Sequence, residues 1–284
     1  MNASGALTVG AFLDLAPPPW EPRDLWRRDI EVLVGHVCGL SRAEIIAHPE
    51  RAIPGGECAS LEQMAQRRHA GEPVAYLTEH RDFWTLDLRV TPDTLVPRPE
   101  TEQLVELALS RIPQDTLARI ADIGTGCGAI ALALARERPA AHVVATDVSR
   151  AALSVAEDNA ARHKLANVEF RQGNSAGALT GVFDAIVSNP PYVANGDPCL
   201  WGPDLSFEPK IALMGGPDGL DVMRRIAFEA RAKLRSGGWL ALEHGHDQQP
   251  RIVDLLQRYG YTDIESRNDS GGVPRMVVAT WSGS

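Results

Sequence analysis

The chain has little that would hold a metal, staple a secreted fold or enter a bilayer. Its 284 residues include four cysteines, Cys38, Cys58, Cys127 and Cys199, none in a C-x-x-C pair. That disfavours a zinc site and a disulfide framework alike and implies reduced thiols. No apolar run approaches the roughly 20 residues needed to cross a bilayer, so no membrane role is expected. Nor does the N-terminus place basic residues ahead of its apolar ones. It meets Asp14 early, so it does not read as a secretory signal, and the cytoplasm is the expected compartment. Excess positive charge is also missing, for 28 Lys and Arg face 37 Asp and Glu. The net charge of −9 argues against a broad grip on duplex nucleic acid, which needs a clustered basic surface. Internal repeats and low-complexity tracts are absent too.

What remains is an ordinary globular composition, 44% hydrophobic and 23% charged. The length predicts a large domain with a smaller appendage. Residues 1–75 read as a helical module, with apolar Leu25, Ile30, Leu33, Val34 and Val37 at helical spacing. Pro17-Pro18-Pro19 separates its first two helices, Ser41 is placed to cap a third, and Ser60 with Gln63 resembles a capping box for a fourth. Residues 76–99 form a connector, in which Phe83 to Val90 alternates apolar and polar positions as a strand of a β-hairpin.

From residue 100 to 284, helices and strands alternate. Helices are expected at 100–111, 128–138, 150–164, 219–235 and 247–259, and strands at 119–123, 142–147, 167–172, 182–188, 239–243, 261–267 and 274–281. This is the pattern of a parallel α/β sheet, and the last two strands, with no helix between them, suggest an antiparallel closing pair.

Within this domain, Asp122 to Ile130 reads DIGTGCGAI where a buried strand gives way to a helix. Gly124, Gly126 and Gly128 permit a tight turn and let a ligand lie against bare backbone at the carboxyl edge of the sheet, with Thr125 and Cys127 between them. The next strand ends at Asp147, 19 residues after Gly128, where a carboxylate can bond both hydroxyls of a ribose. A dinucleotide enzyme would want G-x-G-x-x-G, whereas here the third glycine comes one residue early and acidic Asp122 directly precedes the loop. S-adenosylmethionine is therefore the expected cofactor. A structural turn is the plainer alternative for an isolated glycine triplet, but it leaves Asp147 unexplained.

A second motif, Asn189-Pro190-Pro191-Tyr192, follows the 182–188 strand and reaches the same sheet edge. Its two prolines stiffen the loop and remove two backbone donors, leaving carbonyls as acceptors. A planar NH2 fits such a place, with the Asn189 oxygen taking one hydrogen and Tyr192 offering a flat wall. Hydrogen bonds that pull on an amide's hydrogens raise electron density on its nitrogen, so alignment and electrostatics would carry the catalysis. The alternative is a proline-rich turn capped by asparagine.

With these residues in place, a resemblance is plain. DIGTGCGAI, Asp147 and SNPPY together resemble the seven-stranded class I methyltransferases with a Rossmann-like sheet, and N-P-P-Y is similar to the motif of enzymes that methylate amide or exocyclic nitrogens. Among these are adenine-N6 DNA methyltransferases and the HemK/PrmC family, which methylates the glutamine of the GGQ tripeptide in peptide-chain release factors. GEPVAYLTEHRDFW at 71–84, LVPRPETE at 95–102, FEP at 207–209 and ALEHG at 241–245 resemble the second, so the likeness spans nearly the whole chain.

The resemblance implies a protein-glutamine N5-methyltransferase. Gly124, Thr125, Gly126, Cys127 and Gly128 would hold the methionine end of the cofactor and Asp147 its ribose. Asn189, Pro190, Pro191 and Tyr192 would hold the acceptor glutamine, with Arg98 and Glu100 lining the cleft and Asn189 also beside the cofactor. Where such enzymes often carry Asp-Trp, this chain has Asn174-Ser175, so the purine edge keeps a partner in Asn174 but loses an aromatic one. The expected partner is a release factor, with no stable nucleic-acid binding and a monomeric enzyme. Three other readings stay open: a glutamine methyltransferase acting on a ribosomal protein, an adenine-N6 nucleic-acid methyltransferase, and a nucleoside-binding module without catalysis.

The remaining features read as structural. His244 and His246 lack companions to complete a metal site and are expected on the surface or in a loop, and Cys127 as a small space-filling thiol. Arg27-Arg28 and Arg67-Arg68 are expected on solvated helix faces. Trp201, in the loop from Asn195 to Pro209, fits a lid over the acceptor and a packed loop equally well.

Overall fold

Proline and glycine set the breaks in the first part of the chain. In the computed structural model, which describes residues 7–283, helices α1 (Val9–Leu13) and α2 (Arg23–Cys38) flank the proline run. Ser41 opens α3 (Arg42–Ala47) with a complete capping box to Glu44. Ser60, however, caps nothing. Helix α4 (Gly55–His69) begins five residues earlier behind Pro54, whose φ of −56° pre-sets the helical entry, and Ser60 lies in its interior. A short α5 (Val74–Thr78) follows, so residue 75 falls inside a helix.

The chain divides into two compact units, Met1–Glu79 with Trp201–Phe207, and His80–Leu200 with Glu208–Ser284. The first unit's core gathers Val9, Phe12, Trp26, Ile30, Leu33, Val34, Ile45, Leu61 and Leu77. On α2 it is Trp26, not Leu25, that turns inward; Leu25 and Val32 stay 47% and 46% exposed, seven residues apart on the outer face. Arg68 departs from expectation as well. It is 4% exposed, and its guanidinium bonds Glu21 at 2.5 Å, Asp29 at 2.6 Å and Asp204 at 2.8 Å. A solvated arginine would need no such cage; a buried one without it would be strongly destabilising. Asp204 lies in the Trp201–Phe207 part of the 195–209 loop, which belongs to this first unit.

In the second unit, β1 (His80–Phe83) and β2 (Leu86–Arg89) form an antiparallel hairpin turning at Trp84 and Thr85. Then come α6 (Glu102–Arg111), β3 (Arg119–Ile123), α7 (Ala129–Glu137), β4 (His142–Asp147), α8 (Arg150–His163), β5 (Val168–Gln172) and β6 (Phe183–Ser188). After α9 (Lys210–Leu213) and α10 (Asp221–Ala230) the chain closes with β7 (Leu234–Glu243), α11 (Gln249–Arg258), β8 (Tyr261–Asn268) and β9 (Pro274–Trp281).

Seven strands make one sheet in the order β5-β4-β3-β6-β7-β9-β8, parallel except for β9, which runs antiparallel to both neighbours. From β3 the chain winds outward through β4 and β5, then returns to lay β6 on the other side of β3. The crevice beyond their carboxyl ends is the switch point where α/β sheets bind ligands.

The helix expected at 219–235 stops at Ala230, and β7 starts at Leu234 rather than Trp239. Leu234 pairs with Phe183, but the next partners are Trp239 and Ala185, so Arg235–Gly238 bulges out of register. Gly237 supplies the positive φ of 74° that the excursion needs.

Candidate active site

The glycine loop is held open by its own backbone and two carboxylates. Gly124 and Thr125 donate their N–H groups to Thr146 O at 2.8 and 2.9 Å, which turns the chain back at the end of β3. Asp147 Oδ2 accepts from Gly126 N at 2.9 Å, and its Oδ1 accepts from Ser149 N at 2.9 Å. Burial raises its carboxyl above the usual range, against these backbone hydrogen bonds. Beneath the loop, fully buried Asp122 accepts from Thr125 Oγ1 at 2.6 Å and Ala131 N at 3.2 Å. Burial pushes its carboxyl up to about 7.

The three glycines do different work. All have positive φ, 74°, 57° and 91° at Gly124, Gly126 and Gly128. A Cβ on Gly124 or Gly126 would meet nothing within 4 Å, whereas one on Gly128 would press on Leu132 at 3.0 Å and Ala156 at 3.2 Å. The first two face open space; the third seats α7.

A cavity of about 280 Å³ lies at this switch point, and Gly124, Gly126, Asp147, Asn174, Ser175, Asn189, Pro190 and Pro191 are on its walls. Its size approaches the lower end of typical small-molecule sites, about 300 Å³. Thr125, Cys127 and Gly128 do not line it. Thr125 bonds Asp122, and Cys127 is buried, its thiol pushed up to about 12 by that burial, while its carbonyl accepts from Asn159 Nδ2 at 2.9 Å. The same Asn159 bonds Arg89 N and O, so one side chain of α8 ties the loop to the hairpin. Ser175 has a φ of 58°, unusual for a serine, and its buried hydroxyl finds no partner among the described residues. An open glycine cradle, a carboxylate at the end of β4 and an unpaired hydroxyl fit a nucleoside-bearing ligand.

The N-P-P-Y motif follows β6 directly, and Ser188 Oγ donates to Ile123 O at 2.6 Å, stitching the ends of β6 and β3 together. Asn189 Nδ2 donates to Thr101 Oγ1 at 3.1 Å, and Thr101 Oγ1 donates to Glu243 Oε2 at 2.8 Å. Tyr192 is not on the cavity wall. It packs against the sheet's hydrophobic core, its carbonyl accepts from Gln248 Nε2 at 2.8 Å, and burial pushes its phenol up to about 12. Arg98 is likewise engaged elsewhere, paired with the buried carboxylate of Glu208, which also accepts from Val96 N. Glu100 stands near enough to Glu243 and Tyr192 for its charge to raise both.

Sequence reasoning missed other wall residues: Asp93, Thr94 and Leu95 after the hairpin, and Met214, Val222 and Arg225 on the opposite side. Leu95 opens the quoted LVPRPETE and Asp93 and Thr94 lie just before it, and only that position marked them. His244, expected on the surface or in a loop, lies in the loop just after β7 but away from the surface. It is fully buried, burial lowers its pKa, and its ring bonds Gly245 O at 2.8 Å.

Comparison with known proteins points to methyltransferases. The methyltransferase small domain profile matches residues 101–199, and the PrmC N-terminal domain profile matches residues 22–78. The chain is 46% identical to the release factor glutamine methyltransferase of Coxiella burnetii over 89% of its own length and 91% of the relative's. To the release factor glutamine methyltransferase of Escherichia coli it is 43% identical, covering 90% and 92% of the two chains. A methyltransferase structure from Pyrococcus furiosus aligns over 78% of this chain and all of its own with a TM-score of 0.54 at 21% identity, a likeness of fold alone. The seven-stranded sheet is thus a class I methyltransferase fold, and identity of this depth over nine-tenths of both chains shows that this chain belongs to the release factor glutamine methyltransferase family.

Proposed function

We propose that this protein transfers a methyl group from S-adenosylmethionine to the side-chain amide nitrogen, N5, of the glutamine in the GGQ motif of a peptide-chain release factor. The observation that carries the reading is that Asn189-Pro190-Pro191 stands on the wall of the same cavity as Gly124, Gly126 and Asp147, on loops that leave neighbouring strands.

When bound, S-adenosylmethionine supplies an electrophilic methyl group on a sulfonium. Gly124 and Gly126 leave room for the donor, Asp147 is placed for its ribose, and Asn174 with Ser175 for its purine. The role of Asn189 is to hold the acceptor. With Nδ2 committed to Thr101, Oδ1 is left to accept an amide hydrogen. Pro190 and Pro191 contribute no N–H that would compete for the acceptor's oxygen or repel its NH2. Thr125, Cys127 and Gly128 shape the loop from behind. Arg98 and Tyr192 support the acceptor wall rather than meet the glutamine, and Glu100 adds negative charge nearby.

Residues 1–75 are proposed to recognise the protein partner, 76–99 to connect, and 100–284 to hold the chemistry. The exposed pair Leu25 and Val32 on α2 is an apolar face suited to that recognition. Replacing both by Glu should raise KM for a full-length factor about tenfold while leaving a short GGQ peptide unaffected, an effect on the scale of one lost interface anchor; equal effects on both substrates count against it. No helix among the described residues is long and apolar enough to cross a membrane, which accords with a proposed cytoplasmic site where translation factors act.

Incubation with labelled S-adenosylmethionine and a purified release factor, followed by mass-spectrometric localisation, should place one methyl group on the GGQ glutamine. Label on a ribosomal-protein glutamine or on adenine, with none on the release factor, defeats the reading.

A further inference from the structure

Asn189 can hold an amide hydrogen only if its oxygen faces the acceptor, and nothing in an asparagine side chain itself decides which end points where. The two ends differ by a few atoms of near-equal size, so neighbours must choose. Here the neighbours are Thr101, 3% exposed at the end of the short turn Pro99–Thr101, and Glu243, 2% exposed at the last position of β7. They come from chain segments 142 residues apart, and both are buried behind the acceptor wall.

We infer that Thr101 and Glu243 are positioning residues for the methyl transfer, a two-step relay that fixes the orientation of the Asn189 amide. An ionised carboxylate can only accept. Glu243 therefore takes the Thr101 hydroxyl proton at 2.8 Å, which leaves the Thr101 oxygen as an acceptor toward Asn189 Nδ2 at 3.1 Å. Each step removes a choice from the next, so the carboxylate's charge is expressed as the direction of an amide several bonds away. In a buried setting such chains polarise one another, and the Asn189 oxygen becomes the better acceptor for it.

The electrostatic surroundings show why the relay is pH-dependent. Burial raises Glu243 to about 7, offset by the hydrogen bond from Thr101 and the charge of Arg275 on β9, reinforced by Glu100, and offset again by the Asn189 amide. Tyr192 faces it as well, its phenol raised by burial and by Glu243. A protonated Glu243 can donate to Thr101 instead of accepting, and the direction of the relay is then no longer imposed. Turnover should rise as pH passes upward through this window.

The inference rests on the methyl transfer proposed above, and the experiment separates the two. Parent, Thr101→Val, Thr101→Ser and Glu243→Gln are compared for kcat, KM toward a GGQ peptide, S-adenosylmethionine affinity by calorimetry and the pH profile of kcat. Thr101→Val keeps the shape but lacks the hydroxyl, and its kcat should fall roughly tenfold or more with cofactor affinity unchanged. Thr101→Ser should restore most of it. Glu243→Gln should lower kcat and abolish the acidic limb near neutrality. If Thr101→Val turns over as fast as Thr101→Ser, or Glu243→Gln keeps the parental limb, the relay is overturned. Failure of the parent itself to methylate the peptide would instead sink the functional reading.

Discussion

Two fully buried carboxylates flank the cleft, and they are put to opposite uses. Asp122 and Glu243 both sit near the carboxyl ends of sheet strands, both are pushed up to about 7 by burial, and both accept from a threonine hydroxyl. Asp122 bonds Thr125, three residues along its own loop, and Ala131 N at the start of α7. Its partners are local, so it shapes backbone. Glu243 bonds Thr101 across 142 residues, and Thr101 passes the interaction to Asn189. Its partners are distant, so it aims a side chain. The lesson is that one physical device, a desolvated acid holding a hydroxyl, builds a cradle on the cofactor side and a pointer on the acceptor side.

The sharpest way to break this comparison is to remove the end of the pointer and a wall of the cradle in turn. Asn189→Ala should cut kcat by about 10²–10³, the scale for losing one preorganised polar contact in a transition state, and leave S-adenosylmethionine affinity nearly unchanged. Asp147→Ala should do the reverse, weakening cofactor binding by about 1–3 kcal/mol for a lost charge-assisted pair. Calorimetry and steady-state kinetics on the same samples separate them. If both variants lose binding and turnover together, the cleft has no division of labour.

A second pair tests the cradle itself. Both Gly126→Ala and Gly128→Ala force a side chain into positive φ, at about 1–2 kcal/mol each. Only at Gly128 does the new Cβ also press on Leu132 and Ala156, at 3.0 and 3.2 Å. Gly128→Ala should therefore be destabilised by about 2–4 kcal/mol in urea melts once overpacking is added. The Gly126 variant should melt closer to the parent yet bind S-adenosylmethionine worse. Equal stability of the two would mean that the loop relaxes freely and that the packing role of Gly128 is empty.

Which parts were legible in the sequence follows the same local-versus-distant division. The bounds of β3, β4 and β9 match the expected 119–123, 142–147 and 274–281, because buried strands between turn residues are written in consecutive positions. The glycine loop and N-P-P-Y were legible for the same reason. The bulge at Arg235–Gly238 was not, since it depends on the register of β7 against β6. Nor was the burial of Arg68, whose cage draws on Glu21, Asp29 and Asp204 from three separate stretches. Thr101 and Glu243 lay inside the quoted stretches LVPRPETE and ALEHG, but nothing in either stretch says that they touch. Cys127 was legible as a packed thiol from its place in the loop, and His244 as a loop residue, but the burial of that loop depends on distant packing and was not.

The last comparison turns on the charge of the cradle's own acid. Asp122 has a folded-state pKa of about 7, raised from an ordinary unfolded value near 3.9. Below about pH 4 it is protonated in both states and carries no penalty. Between about 4 and 7 the unfolded chain gives up the proton while the folded one keeps it, so this group's contribution to stability falls as pH rises, and above 7 the full penalty of a buried charge remains. Glu243, Asp147, Asp29 and Glu21 push in the same direction, whereas Asp218, pulled down to about 2 chiefly by its hydrogen bond from Arg224, pushes the other way. Asp122→Asn removes one share of that slope. Its amide can still accept from Thr125 and Ala131, but its NH2 takes the place of Oδ1, which has no partner among the described residues. That costs about 1–3 kcal/mol at every pH, an offset rather than a slope. The gap between the Tm values of parent and variant should therefore move in the variant's favour on going from pH 4 to pH 7.5, at about 2–4 °C for each kcal/mol of the buried-charge penalty that is expressed. Parallel curves would show that Asp122 does not change its charge in this range, and that the cradle rests on its hydrogen bonds alone.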